Sequence, residues 1–233
     1  MLEAKEVVVG YKKDIHILQG VSIRAREAQI TAVLGPNGVG KSTLLKTIYG
    51  YLKPSKGGII FKGENITGIN PYELSSKGIG YIAQRQNVFP YMLVEENLQI
   101  GAWPLRRDKK LVEEGTEENY NRFPILKEKR KKKAGSLSGG EQRMVEFGRA
   151  LMTNPDILLV DEPTAGLAPK VAREVYDIVE KLKEEEGRTI LLVDQNIRQA
   201  VKHSDYVYVL ELGKNKADGP AGDFEDLKKT IWL

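Results

Sequence analysis

The chain has 233 residues, no cysteine, two histidines and 36 Lys+Arg against 32 Asp+Glu, for a formal charge of +4. Without cysteine there can be no disulfide, thiolate metal site or cysteine nucleophile, and so small a basic surplus is not a nucleic-acid-binding charge density, although the charge balance alone decides nothing. The longest apolar runs are four or five residues, far below the roughly 20 that span a bilayer, and MLEAKEVVVGYKK lacks a signal-peptide core, so a cytoplasmic chain with at most a peripheral membrane role is expected. In chain order, residues 1–30 and 57–66 carry short alternating segments such as VVVGY and GGIIFKG, which predict an antiparallel sheet. ITAVLG at 30–35 opens a different pattern of apolar strand, glycine turn and helix, the pattern of a parallel sheet with crossover helices. A polar, helix-prone stretch at 85–135, ending in KEKRKKKAG, interrupts it as an inserted subdomain. ILLVDEP at 157–163 and ILLVDQN at 190–196 then flank a helix predicted over 169–186, forming one βαβ unit.

Three motifs carry chemistry. GPNGVGKST at 35–43 follows a strand and precedes the helical STLLKTIYGYL. Its glycines let backbone N–H groups curl around phosphate oxygens at a helix start, Lys41 can reach the β- and γ-phosphates, and the Ser42 hydroxyl can ligate Mg²⁺. The pattern arises by chance in roughly one chain in a hundred of this length, and its place between strand and helix makes a plain glycine turn rarer still. ILLVDEP places Asp161 and Glu162 at the C-terminal end of a doubly buried strand, where parallel sheets locate ligand chemistry. Asp161 is a candidate Mg²⁺ holder and Glu162 a candidate base for the attacking water; a solvated strand end is the rival for such a pair taken alone. SLSGGEQRMVEFGRALM at 136–152 sets Ser138, Gly139 and Gly140 before an amphipathic helix that begins near Glu141, with Met144, Phe147, Gly148 and Leu151 on its apolar face. This is a second anion-binding helix start, or else an ordinary Ser N-cap.

With these motifs in this order, the chain resembles the ATP-binding-cassette ATPases over essentially its whole length. GPNGVGKST is similar to their phosphate loop, LSGGE to their signature, LLVDEP to their magnesium strand, and Gln84 in GYIAQRQ to their glutamine loop. The resemblance implies an α/β P-loop NTPase with a RecA-like parallel-sheet core and an N-terminal antiparallel β subdomain at 1–84 and 150–233. An inserted α-helical signature subdomain would occupy 85–149, within a single domain over 1–233. It implies ATP and Mg²⁺ as ligands, with nucleotide contacts from Gly35, Pro36, Asn37, Gly38, Gly40, Lys41, Ser42 and Thr43. It implies metal contacts from Ser42, Gln84 and Asp161, and catalysis by Glu162 with Lys41, Gln84 and Gln195. It implies a head-to-tail dimer in which Ser138, Gly139, Gly140 and Glu141 of one chain close on the ATP held by the other.

Weaker positions follow from the same resemblance. Tyr11 stands where the family stacks an aromatic on adenine, although strand packing is its reading without the family. Val88, Phe89, Tyr91 and Met92 are read as a groove for a membrane subunit, with local core as the alternative. The basic run at 127–133 could approach lipid headgroups or form a solvated face. Most relatives carry His where this chain has Gln195, which can donate an amide N–H to the γ-phosphate but cannot titrate. Ala168 in AGLAP replaces an Asp common in this loop. Both departures, with VEENLQIGA, resemble the ATPases of branched-chain amino-acid importers, in particular the shorter of two ATPase subunits. That architecture implies transmembrane permease subunits, an identical or homologous second ATPase, a solute-binding protein and a site on the cytoplasmic side of the membrane. A cassette of another transporter, a soluble non-transport cassette and a non-hydrolysing nucleotide switch are the alternatives.

Overall fold

The computed structural model describes residues 1–11, 15–84 and 88–224. In chain order the elements are β1 (Leu2–Val9), β2 (Leu18–Ala25), β3 (Ile30–Leu34), α1 (Lys41–Ile48), β4 (Lys56–Phe61), β5 (Glu64–Asn65), α2 (Pro71–Ser76) and β6 (Ile79–Ile82). A helical stretch follows, with α3 (Val94–Gly101), α4 (Lys109–Arg122), α5 (Pro124–Glu128) and α6 (Gly139–Leu151). The chain then returns to the sheet through β7 (Ile157–Asp161), α7 (Pro169–Glu184), β8 (Thr189–Val193), α8 (Ile197–Lys202), β9 (Tyr206–Glu211) and β10 (Lys214–Pro220).

Two sheets result. The first, ordered β2-β1-β4-β5, is antiparallel, as the alternating segments near the N-terminus predict. The second, ordered β10-β9-β3-β8-β7-β6, has five parallel strands and one antiparallel edge, β10. Strands β3, β7 and β8 are buried at every position. Their side chains divide between two cores: Leu158, Val160, Ile190 and Leu192 join α3, α6 and α7 on one face, while Ile157, Leu159, Leu191 and Val193 join α1, β1 and β4 on the other. Because both faces are covered, these strands have to be aliphatic throughout rather than alternating.

Strand register decides where the chemistry can sit. Val33 pairs with Val193, Asp161 with Val193, and Ile82 with Val160, so β3, β6, β7 and β8 end at one edge of the sheet. The loops leaving those ends therefore converge.

Residues 88–151 form the helical lobe. The expected division at 149/150 lies near the end of α6, which runs unbroken to Leu151. Arg122 at the end of α4 ties the lobe to the core through both carboxylate oxygens of Glu186, at 2.6 and 2.9 Å. The helix predicted over 169–186 stops at Glu184. On α6 the buried face is wider than its apolar periodicity indicates: Phe147, Gly148 and Leu151 are buried as expected, Met144 is half-buried, and Arg143, Val145 and Glu146 are buried too. Among the described residues no helix is long and apolar enough to cross a membrane.

Candidate active site

The loop after β3 requires glycine at two places. Gly35 has φ +154°, and a Cβ there would lie 2.6 Å from the Leu210 carbonyl oxygen. Gly40, the N-cap of α1, has φ +111°, and a Cβ there would meet Leu18 at 2.5 Å. No side chain caps α1 and no acid stands in its first turn, so its leading N–H groups face the loop without a competing side-chain acceptor. Pro36, Asn37 and Gly38 are exposed, whereas Lys41 and Thr43 are buried and Ser42 is half-buried. A hollow of about 540 Å³ borders this loop, lined on its far side by His16, Ile17 and Gln19 at the start of β2.

Lys41 is 4% exposed; its Nζ donates to the Gly35 carbonyl at 2.8 Å and the Pro36 carbonyl at 3.1 Å, and lies 3.9 Å from Glu162 Oε1. Burial lowers its pKa from the ordinary lysine value, opposed by the charges of Glu162, Asp161 and Asp194. Asp161, at the end of β7, accepts from the Ser42 hydroxyl at 2.8 Å through Oδ1 and from the Tyr81 hydroxyl at 3.3 Å through Oδ2. Burial raises its pKa, opposed by those two hydrogen bonds.

Glu162 is 5% exposed and has φ +43°, a conformation that costs a non-glycine residue energy and persists where the surroundings hold it. Its N–H donates to the Val193 carbonyl at 2.7 Å, which fixes it to the end of β8, and its Oε2 accepts from Gln84 Nε2 at 2.5 Å. Burial raises its pKa, with Lys41 and the Gln84 hydrogen bond opposing, so it is a stronger proton acceptor than a solvated carboxylate. Lys41, Ser42, Gln84, Asp161 and Glu162 thus form one connected cluster. Hydroxyl, carboxylate and amide oxygens suit a hard cation such as Mg²⁺. Among the described residues no group of three His, Cys, Asp or Glu side chains could hold a metal by itself; Mg²⁺ shared with a triphosphate needs only one or two carboxylates.

The signature segment lies apart from this cluster. Ser138 Oγ accepts from the Glu141 N–H at 3.4 Å, Glu141 Oε2 accepts from the Ser138 N–H at 3.0 Å, and Lys129 donates to Glu141 Oε1. Ser138, Gly139, Gly140 and Glu141 form a capping box at the start of α6, and none of them hydrogen-bonds to the phosphate loop.

Other expected positions are distributed unevenly. Gln195 is exposed, and its side chain forms no hydrogen bond with Glu162, Lys41 or Gln84. Tyr11 is 59% exposed just beyond β1 and does not line the hollow beside the loop. Ala168 is the exposed N-cap of α7 with no side-chain bond, and Pro169 supplies the fixed φ that starts that helix. Of the groove candidates, Val88 packs against the core, Met92 is half-buried, and Phe89 and Tyr91 are exposed at 42% and 87%. Asn97, fully buried, holds the Phe89 backbone at both N–H and carbonyl, at 2.8 and 3.1 Å. In the basic run Lys127 pairs with Glu117 and Lys129 with Glu141, while Lys131, Lys132 and Lys133 are exposed. Asn87, also in the groove segment, lies outside the described residues.

Sequence reasoning missed two supports. Asp194, buried at the end of β8, accepts from Tyr176 at 2.8 Å and Thr164 at 3.2 Å and so ties the loop after β7 to the loop that carries Gln195. Its signal was an acid at a strand end, the same feature that marks Asp161. Tyr81 had no such signal.

The ABC transporter family profile matches residues 18–165. The chain is 40% identical over 229 residues to the probable branched-chain amino acid transport ATP-binding protein LivF of Archaeoglobus fulgidus, covering 98% of this chain and 96% of that one. It superposes with a TM-score of 0.86 on an ATP-binding cassette of an ABC transporter in its ADP conformation, at 34% identity, covering 99% of this chain and 96% of that one. A dimeric cassette in a post-hydrolysis state with ADP and Pi matches with a TM-score of 0.80 at 27% identity, covering 95% of this chain and 99% of the other. The phosphate-loop sequence, the signature sequence and the strand ending in Asp161 and Glu162 stand in that order on the fold those cassettes share, and the chain belongs to the ABC transporter family as one of its nucleotide-binding ATPase cassettes.

Proposed function

We propose that the chain is the ATP-hydrolysing subunit of a membrane importer, with branched-chain amino acids as its solutes. The convergence of Lys41, Ser42, Gln84, Asp161 and Glu162, joined by hydrogen bonds of 2.8 and 2.5 Å and an ion pair at 3.9 Å, carries the hydrolytic half. The 40% identity to a probable branched-chain amino acid transport ATP-binding protein supports the solute.

The triphosphate lies along residues 35–43. N–H groups at the start of α1 take its oxygens, and Lys41 exchanges its two carbonyl acceptors for the β- and γ-phosphates. Ser42, Asp161 and the side-chain oxygen of Gln84 are the groups that would hold Mg²⁺, which supplies Lewis acidity at the phosphate oxygens. Glu162 accepts a proton from the attacking water. Gln195 donates an amide N–H to a γ-phosphate oxygen, and Tyr11 stacks on the base. Ser138, Gly139, Gly140 and Glu141 come from a second cassette, identical or homologous, in a head-to-tail dimer. The exposed pair Phe89 and Tyr91, with Val88 and Met92 behind, meets a transmembrane permease subunit, which places the chain peripherally on the cytoplasmic side of the membrane. A solute-binding protein delivers cargo to the opposite side.

Two measurements test this reading. Affinity purification from detergent-solubilised membranes should bring down integral subunits, and the assembly in vesicles should release phosphate in step with leucine uptake. Recovery of only a soluble species bound to ribosomes or DNA would overturn the transport reading. Phosphate release driven by a different solute, with leucine inert, would overturn the solute.

A further inference from the structure

Arg143 is an arginine where an amphipathic helix would be expected to bury an aliphatic residue. It sits two turns from the end of α6, is 1% exposed, and shares the interior with Glu146 at 3%. Its Nη1 donates to Glu146 Oε2 at 2.6 Å and to the Ala83 carbonyl at 3.0 Å, and its Nη2 donates to the Gln84 carbonyl at 3.1 Å. Nε is buried without a partner. A buried ion pair with an unsatisfied N–H is a poor way to stabilise a helix, since apolar residues of similar volume commonly do as well or better.

The guanidinium does something an apolar pair could not. Its two terminal nitrogens grip consecutive carbonyls where β6 gives way to the glutamine loop. Gln84 is the residue whose side chain donates to Glu162 at 2.5 Å. A continuous path therefore runs from the signature helix through Arg143 and the Gln84 backbone to the candidate base.

We infer that Arg143 is a positioning residue for hydrolysis: it fixes the Gln84 backbone so that the Gln84 amide holds Glu162 in place, and Glu146 keeps the guanidinium aimed. This rests on the reading of Glu162 as the base. The consequence is that a movement of α6, such as the signature helix would make on meeting a second cassette, changes the placement of Glu162 in its own chain as well as completing the site across the dimer.

The test is to remove the clamp without unfolding the helix. The double variant R143M/E146M replaces the pair with apolar side chains. It is expected to melt near the parent chain, to keep its KM for ATP within about twofold, and to lose about 10- to 100-fold in kcat, the loss that a slightly misplaced catalytic group produces. Hydrogen exchange over residues 82–84 should quicken in the same variant. A folded double variant with parental kcat and parental exchange would overturn the inference. If that variant does not fold, R143K decides: a lysine keeps the charge opposite Glu146 but cannot present the planar fork to both carbonyls, so kcat should fall, and parental turnover would overturn the inference. E162Q run beside them separates the two readings. Rapid hydrolysis by E162Q removes the base assignment itself, whereas a hydrolytically dead E162Q with a fully active clamp variant removes only the role of Arg143.

Discussion

Two helices of this molecule begin at glycine-rich turns, and they treat their leading N–H groups in opposite ways. Helix α1 starts at Gly40 with no side-chain cap, no acid in its first turn and a buried lysine. Helix α6 starts at Ser138 with a complete capping box, an acid in its first turn and Lys129 on that acid's other oxygen. The first presents donors with no competing side-chain acceptor and can take an anion as it stands. The second has already satisfied itself, and an anion must displace Glu141 or share the cap with it. On the proposed reading, in which two cassettes share a nucleotide, α1 is the start open to it in the isolated chain and α6 the start that meets it only across the dimer.

The sharpest way to break this contrast is to stop hydrolysis while leaving both helix starts intact. Glu162→Gln is expected to lower phosphate release by about 10³-fold, within the range for loss of a general base, and to accumulate ATP-bound dimer on size exclusion. Adding Ser138→Ala to that variant should abolish the accumulation. If the double variant dimerises as well as the single, the capped helix takes no part in the shared site.

Binding by the isolated chain separates the two starts next. Lys41 is buried against two carbonyls and a carboxylate, so Lys41→Ala should weaken ATP binding by about 10²-fold or more in equilibrium titration, the loss typical of truncating one member of a desolvated charged set. Ser138→Ala should leave that affinity unchanged and cost about 0.5–1 kcal/mol of stability, the low end for an N-cap because its hydrogen bond is 3.4 Å long. Equal loss of affinity in both variants would mean that the two starts are not distinct.

How far the sequence reveals this contrast depends on the kind of signal. Glycine spacing, an aliphatic run and a terminal acid are local, so the phosphate loop, β7 and the parallel core can be read without coordinates. The Ser138–Glu141 pair is also local, yet sequence alone leaves an anion site and a cap as alternatives, and here the cap is formed. Arg143 and Tyr81 are legible nowhere along the chain, because their partners, Ala83, Gln84 and Asp161, lie on other elements and only packing brings them together. The burial of Arg143 also defeats periodicity, which assigns charged residues to the solvent face of α6. Gln195 is the converse case. It is conspicuous in sequence beside ILLVD, but in the folded chain it is exposed and its side chain forms no hydrogen bond with Glu162, Lys41 or Gln84.

The smallest expected effect concerns pH at the capped start alone. The Lys129 hydrogen bond holds the Glu141 pKa below its usual 4.5, burial working against it and the Ser138 N–H adding to it. A carboxylate depressed in the fold contributes stability that is fully present above the unfolded value and is lost as pH falls through the folded one. The start of α6 should therefore loosen below about pH 4.5, by about 0.3–1 kcal/mol for a partly exposed pair at a helix N-terminus. Glu141→Gln keeps an acceptor for the Ser138 N–H but removes the charge, so its melting temperature should vary less between pH 3 and 5 than the parent's, with the difference shrinking at high salt. Helix α1 carries no acid in its first turn, and the carboxylates that face it, Asp161 and Glu162, have raised pKa values, so their contribution to the slope has the opposite sign and is the same in parent and variant. An unchanged slope in the variant would mean that the Lys129 pair does not hold the second helix start closed, and that the two starts differ in geometry but not in charge.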